Sequence, residues 1–390
     1  MKSIFLTTTL LATCLLRSFA ADADGFVSLF NGKDLQGWVD ANCAPETWSV
    51  VEGVIHCTGK PTGALRTPRQ YENFILEVEW RHLSKGGNSG VFIWGTPIAA
   101  PGVPFLRGIE VQVLDHGYAE QYEKENGKKS EWFTTHGDVF PIHGASMKPF
   151  GRHSGDRSFP SEDRSKGTPE WNHYRVVCNR GVLRLSVNGK EVSGGEDCNY
   201  RKGYLALESE GGPVEFRNIR IQELPSSNTP AELTAPVDSG LRSIFTGLDL
   251  RGWKLPNAAA MNRWSVRGER IRLAVGEFDS SATLWTEKEY GDAEFVLDCR
   301  LEKSAGSTSQ PPILIVRGVD VALSDAVVGT HQRYTIRSAA GEITVTRGDK
   351  ELHRSPIPAT AKPHTAFGVR STATPLELMN LYARDLNAKP

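Results

Sequence analysis

The sequence predicts an all-β protein built as two tandem domains. Three observations carry this. The 390 residues include 38 glycines and nine tryptophans, with little helix-period patterning, a composition that suits many short strands and turns. Period-2 alternation of apolar and polar residues dominates from Phe26 to Leu224. Finally, Ser28-Leu-Phe-Asn-Gly-Lys-Asp-Leu-Gln-Gly-Trp38 returns as Ser243-Ile-Phe-Thr-Gly-Leu-Asp-Leu-Arg-Gly-Trp253, identical at seven of eleven positions and offset by 243 − 28 = 215 residues. A solenoid would repeat every ~20–50 residues. The offset instead marks two domains of one ancestry, which the length accommodates.

Residues 1–20 read as a secretory signal. Met1-Lys2 gives a short basic start, Ile4 to Leu16 is mostly apolar, and Ser18-Phe19-Ala20 offers small residues for cleavage near Ala20. The apolar run falls short of the ~20 residues of a membrane span. The expectation is export to the periplasm or beyond, with no transmembrane segment in the mature chain. Thr13 spoils the lipobox-like Leu11-Ala12-Thr13-Cys14. Five cysteines remain after cleavage. Cys43–Cys57 and Cys178–Cys198 are the local pairs that export permits, against buried free thiols. No CxxC or His-rich spacing marks a zinc site. With a net charge of −1, nothing suggests a nucleic-acid electrostatic footprint, and no nucleic-acid partner is expected.

The strands follow in order. In Phe74-Ile-Leu-Glu-Val-Glu-Trp-Arg81, Phe74, Leu76, Val78 and Trp80 share one face, and Ile75, Glu77, Glu79 and Arg81 the other. In Gly108-Ile-Glu-Val-Gln-Val-Leu-Asp115, Ile109, Val111 and Val113 oppose Glu110, Gln112 and Leu114. Trp171 to Val192 reads as a hairpin turning at Asn179-Arg-Gly181, then a tight turn at Asn188-Gly189. Gly203–Leu207 and Val214–Leu224 supply two more strands. Between Asp115 and Trp171 the period is lost, and the histidines, charges and glycines there are expected to form loops over one sheet face. The domain boundaries are 25–224, a Pro/Ser/Thr-rich linker at 225–240, and a second copy at 241–388.

Comparing the copies separates scaffold from chemistry. Tyr71–Arg81 aligns with Tyr290–Arg300 at an offset of 219, and Trp171–Tyr174 with His331–Tyr334 at an offset of 160. The second copy has therefore lost about 219 − 160 = 59 residues between these anchors. Glu77 becomes Val296 and Glu79 becomes Asp298; the Gly86-Gly-Asn-Ser-Gly90 turn has no counterpart in 306–312, and the Glu110 strand has no recognisable match. Two carboxylate-bearing strands in one sheet would place acid and base on a common surface, as carbohydrate chemistry requires. An exposed face of alternating Glu and Arg is otherwise ordinary solvation. Trp38, Trp48, Trp94 and Trp132 are candidates for stacking on sugars, against their commoner fate in a core.

Taken in order, Leu29–Trp38, Gly87-Asn-Ser-Gly90, Gly108–Asp115, Trp171-Asn172, Asn188-Gly189 and Gly212-Pro-Val-Glu-Phe-Arg-Asn-Ile219 resemble the 3-keto-disaccharide hydrolase family. The resemblance covers Phe26 to Leu224. It implies a concanavalin-A-like jelly roll, hence two tandem sandwiches with the second smaller and degenerate, and it implies an exported enzyme acting on a carbohydrate already oxidised at C3. The chain departs from the family at Glu208 and Glu210, where many members carry Gln and His, and at Gly144-Ala145-Ser146, where Gly-Ala-Tyr is common. A C3 ketone acidifies the C2 proton. Its removal gives an enolate that expels the C1 substituent, and water then adds to the enone. Such a site needs a base, an oxyanion donor and an acid. The expected base is Glu110 or Glu79, and the expected oxyanion donor Arg81 or Asn88. Gln112 and Asp115 would hold sugar hydroxyls, and His136 or His143 would be the acid. No cofactor is evident, although a divalent cation on the carboxylates would serve as oxyanion donor. The competing readings are a sugar-binding protein on a lectin-like fold and a lyase that stops at the enone.

Overall fold

A computed structural model describes residues 24–276, 279–303, 310–370 and 372–387. The expected signal segment lies outside these residues, as does most of the 306–312 stretch. No helix of the described residues is long and apolar enough to cross a membrane.

The chain is all-β, as expected, and each half is a sandwich of two antiparallel sheets. In the first half, a nine-stranded sheet centres on Phe74–His82, flanked by Asn172–Asn179 and Val214–Glu223. An eight-stranded sheet centres on Gly108–Leu114, Asn88–Gly95 and Tyr204–Ser209. The alternation explains the packing. Leu76, Val78 and Trp80 of one sheet meet Val91, Ile93, Ile109, Val111, Leu205 and Leu207 of the other in a common core. That parity leaves Glu77, Glu79 and Arg81 on the outside of the nine-stranded sheet. It leaves Gly90, Phe92, Glu110, Gln112 and Glu208 on the outside of the eight-stranded one.

The second half repeats this strand order. Ala293–Leu301 sits between Gln332–Ala339 and Leu376–Asp385, as Phe74–His82 sits between its neighbours. The registers agree with both sequence offsets, since Tyr174 pairs with Val78 and Tyr334 with Leu297. The repeated phrase does the same work in each copy. Trp38 Nε1 donates to the Leu29 carbonyl at 2.9 Å, and Trp253 Nε1 to that of Ile244 at 2.8 Å. One expectation is corrected: the Glu110 strand has a positional counterpart, the four-residue Val319–Ala322, which pairs with Ile313–Val316. It is too short and too different in sequence to be recognised by alignment.

Three further expectations change. The stretch after Asp115 is not all loop: His116–Asn126 is a helix, and short strands follow at Val139–Ile142 and Ser146–Pro149. The helix is polar, with no buried residue, so it leaves no apolar stripe to read. The five cysteines among the described residues are unpaired and buried, the free-thiol alternative, and Cys43 Sγ accepts from Trp48 Nε1 at 3.2 Å. The linker is tied down. Ser226, Ser227 and Thr229 donate to the Glu72 carboxylate, and Arg66 reaches Asp238 at 2.6 Å.

Candidate active site

The outer face of the eight-stranded sheet carries a carboxylate cluster. Three adjacent strands align their side chains in rows: Gly90 pairs with Gln112, Val91 with Leu207, and Asn88 bridges to Glu210. Glu208 and Gln112 therefore flank Gly90 on one face. Glycine is needed there, because a Cβ would lie 2.9 Å from Glu110 Oε1 and 3.0 Å from Glu208 Oε2. Both carboxylates lean over the space that the missing side chain leaves.

A pocket of about 270 Å³ opens above this row. Glu110, Glu208, Glu210, Asn88, Gln112 and Arg157 form its polar lining. Phe105, Phe140, His143, Tyr118 and Trp132 form its walls. The helix and loops that the second copy lacks supply most of those walls. Trp132 is 50% exposed and lines the pocket, its ring packed edge-on against Phe133, whereas Trp48 and Trp94 belong to the core.

Hydrogen bonds fix the polar groups. Asn88 Nδ2 donates to Glu210 Oε2 at 2.5 Å, and Gln112 Nε2 donates to Asn88 Oδ1 at 2.8 Å. Arg157 lies 3.4 Å from the Phe140 ring centroid, and its Nη1 donates to Asp138 Oδ2 at 3.1 Å. Glu208 is 1% exposed, and neither of its carboxylate oxygens meets a donor among the described residues. An ionised carboxylate so placed is costly. Burial, then the charge of Glu210, pushes the Glu110 carboxyl well above the usual carboxylate range. Burial and then Glu110 and Glu210 do the same to Glu208. Burial, then Glu269 of the second half, pushes Glu210 up to about 7. The three titrate as a unit that holds protons near neutral pH.

The structure brings Glu110, Asn88, Gln112 and His143 together, as expected of site residues. Others lie elsewhere. Glu79 and Arg81 belong to the other sheet, so the two carboxylate-bearing strands do not share a surface. The expected strand pairing took no account of which sheet each strand joins. For Glu79, burial is outweighed by hydrogen bonds from Asn218 and Arg217, leaving its carboxyl below the ordinary value. Arg81 donates to Glu215 at 2.8 Å. Asp115 caps the helix, and its oxygens already accept from the backbone N–H groups of Gly86, Gly117 and Thr168 at 2.7–2.9 Å. His136 faces Asp163 at 3.0 Å and does not line the pocket. His143 stacks on Phe105, with centroids 5.4 Å apart, and burial lowers its pKa.

Glu208, Glu210 and Arg157 were not among the expected site residues. The two glutamates had a signal: in Leu205-Ala-Leu-Glu-Ser-Glu210 the even positions share the outer face. Arg157 had none, since it lies in a two-residue strand.

Comparison with known proteins identifies relatives of the first half. A 3-keto-disaccharide hydrolase from Bacteroides thetaiotaomicron is 24% identical over 256 residues, covering 52% of this chain and 80% of that protein. A Parabacteroides distasonis structure, described provisionally as a glycosyl hydrolase, is 24% identical and covers 52% of this chain and 96% of its own, with a TM-score of 0.42. The carbohydrate-binding module CBM66 of Bacillus subtilis is 11% identical, covering 48% of this chain and 96% of its own, with a TM-score of 0.34. The family model described as the 3-keto-alpha-glucoside-1,2-lyase-like domain matches residues 25–222, the sandwich that holds the carboxylate pocket, and with half of its length so matched the chain belongs to that family.

Proposed function

We propose that the chain is an exported hydrolase of 3-keto-glycosides, 3-keto-disaccharides among them, and that the Glu110–Glu208–Glu210 pocket is its active site. One observation carries the reading: two buried carboxylates and a half-buried third on one sheet face, all shifted toward neutrality, in a domain of this family. Groups so tuned can present an ionised carboxylate beside a protonated one at the same pH.

Glu110, when ionised, takes the C2 proton of the sugar. The electron pair moves to the C3 oxygen, and the Asn88 amide and the Arg157 charge stabilise the oxyanion. The C1–O bond then breaks, and Glu210, protonated, gives its proton to the departing oxygen. Water adds at C1 of the enone, losing a proton to Glu210, and Glu110 returns its proton to C2. The sum is glycoside plus water giving a 3-keto sugar and an alcohol. His143, whose pKa burial lowers, is a wall rather than the acid, and Gln112 holds Asn88 in place. The second half keeps one carboxylate at a matching position, Asp320 at the register of Glu110, but Asp320 is exposed and ion-paired with Arg370, which stands at the register of Glu208.

The test is incubation with 3-keto-lactose, following free monosaccharide. Glu110→Gln is expected to lower kcat by roughly 10²–10⁴. Undiminished turnover would remove Glu110 from the mechanism. An accumulating enone would make the protein a lyase, and saturable binding without turnover a lectin.

A further inference from the structure

A second constellation lies among the loops that frame the pocket. His116, His136 and Asp163 present one ligand atom each, all within 4.8 Å of one another. They come from three separate segments: the first turn of the helix, the loop after Phe133, and the loop before Gly167. Sequence spacing hides them, since gaps of 20 and 27 residues fit no zinc motif.

Ser165 stands beside all three and also donates to the Thr135 carbonyl at 3.0 Å. Its Oγ lies 2.6 Å from His116 Nε2, 3.2 Å from Asp163 Oδ1 and 3.5 Å from His136 Nδ1. His136 Nδ1 is 3.0 Å from Asp163 Oδ1. Ligands ~2.0–2.2 Å from a tetrahedral zinc stand roughly 3.3 Å apart, so this pair is already at coordinating separation. The widest separation, up to 4.8 Å, would have to close by up to about 1.5 Å to reach that spacing. Asp163 is half exposed and His136 is 30% exposed, so an ion has a path in.

We propose that His116, His136 and Asp163 bind a borderline divalent cation, zinc being the best match, with Ser165 or water completing the shell. Two imidazoles and a carboxylate suit zinc, cobalt or nickel and fit calcium or magnesium poorly. The site would act as a staple. From His136 the chain runs back to Thr134, whose N–H donates to Asp138 Oδ2 at 2.8 Å, and Asp138 holds Arg157 in the pocket. Phe133, three residues before His136, lines the same pocket. Fixing the helix start and the two loops would fix two of its walls. This inference does not depend on the reaction proposed above.

The experiment uses the full chain without an affinity tag, stripped with a chelator and titrated with ZnCl₂ in a calorimeter. One equivalent is expected to bind with micromolar or tighter affinity and to raise Tm. His136→Ala and Asp163→Asn should each weaken binding at least tenfold with an unchanged circular dichroism spectrum. Glu110→Gln should leave it unaltered. Cobalt should give the visible absorption of a low-coordinate site, and His116→Ala should abolish it. No saturable binding by the wild type would overturn the proposal. So would wild-type affinity in His136→Ala, or loss of binding only in Glu110→Gln, which would put the ion on the carboxylates.

Discussion

Replacing Glu210 by glutamine removes one titrating group from the cluster and leaves the shape almost intact. Burial, reinforced by the charge of Glu269, raises this carboxyl from an ordinary 4.5 to about 7. A gap of about 7 − 4.5 = 2.5 between folded and unfolded values is worth roughly 3 kcal/mol. The folded state binds the extra proton between those pH values. Stability is therefore fully present below pH 4.5, falls as pH rises, and has lost this contribution once pH passes 7. Glutamine keeps an oxygen for the Asn88 amide, which donates at 2.5 Å, and carries no charge at any pH. Glu210→Gln should match the wild type at pH 4.5 and exceed it by up to about 3 kcal/mol at pH 8. Urea denaturation of both proteins from pH 4.5 to 8.5 measures this: groups outside the cluster cancel in the difference, and Glu110 and Glu208, relieved of the Glu210 charge that raises them, shift it in the same direction. The same variant should lose turnover through loss of the acid. A stability difference that stays flat with pH, or a variant less stable at pH 8, would refute the raised pKa and with it the acid role.

Other substitutions probe the rest of the site. Arg157→Met keeps the contact with Phe140 but removes the charge beside Gln112 and Asp138. Activity on 3-keto-lactose should fall by about 10²–10³, whereas a divalent cation serving as oxyanion donor would leave a metal-dependent rate largely intact. Gly90→Ala places a methyl 2.9 Å from Glu110 Oε1, so kcat should fall by about 10² through misplacement of the base, with little change in Tm. Asn380→Ala removes buried hydrogen bonds to the Ala100 and Val103 carbonyls, at 3.0 and 2.9 Å. It should cost about 1–3 kcal/mol, read as a lower midpoint in thermal or urea unfolding.

The parts of the fold legible in sequence were those governed by local alternation. Phe74–Arg81 and Gly108–Leu114 follow a strict period of two, so faces and core residues could be assigned from the residues alone. What alternation cannot give is which sheet a strand joins. Glu79 and Glu110 occupy equivalent polar positions on their own strands, yet the sandwich core lies between the two sheets. One carboxylate therefore meets Arg217 in solvent, and the other is buried with Glu208. Glu110, Asn88 and Gln112 were found because one phrase holds each of them on a long strand. Arg157 and the His116–His136–Asp163 group were not, because loop closure places them and no periodicity records it. Asp115 misled for a physical reason: a carboxylate before a helix caps it, and the polar helix itself gave no amphipathic signal.

The second copy keeps the scaffold and turns its outer face to another use. Asp298 stands at the register of Glu79, as the pairing of Arg333 with Asp298 and of His173 with Glu79 shows. Asn218 and Asn380 occupy matching bulges, both with positive φ. In the first copy that face meets solvent. In the second, Asp298 Oδ2 accepts from Gly102 N at 2.8 Å, Asn380 binds the Ala100 and Val103 carbonyls, and Tyr382 accepts from Ala99 N at 3.1 Å. All four partners belong to the Thr96–Leu106 loop, which carries Phe105 to the pocket wall against His143. Glu269 reaches the same site from another side, raising the pKa of Glu210. The second copy thus touches the carboxylate pocket twice without contributing a lining residue, once through the loop it clamps and once through a charge. Retention of the polar outer face is what lets it brace that of its neighbour.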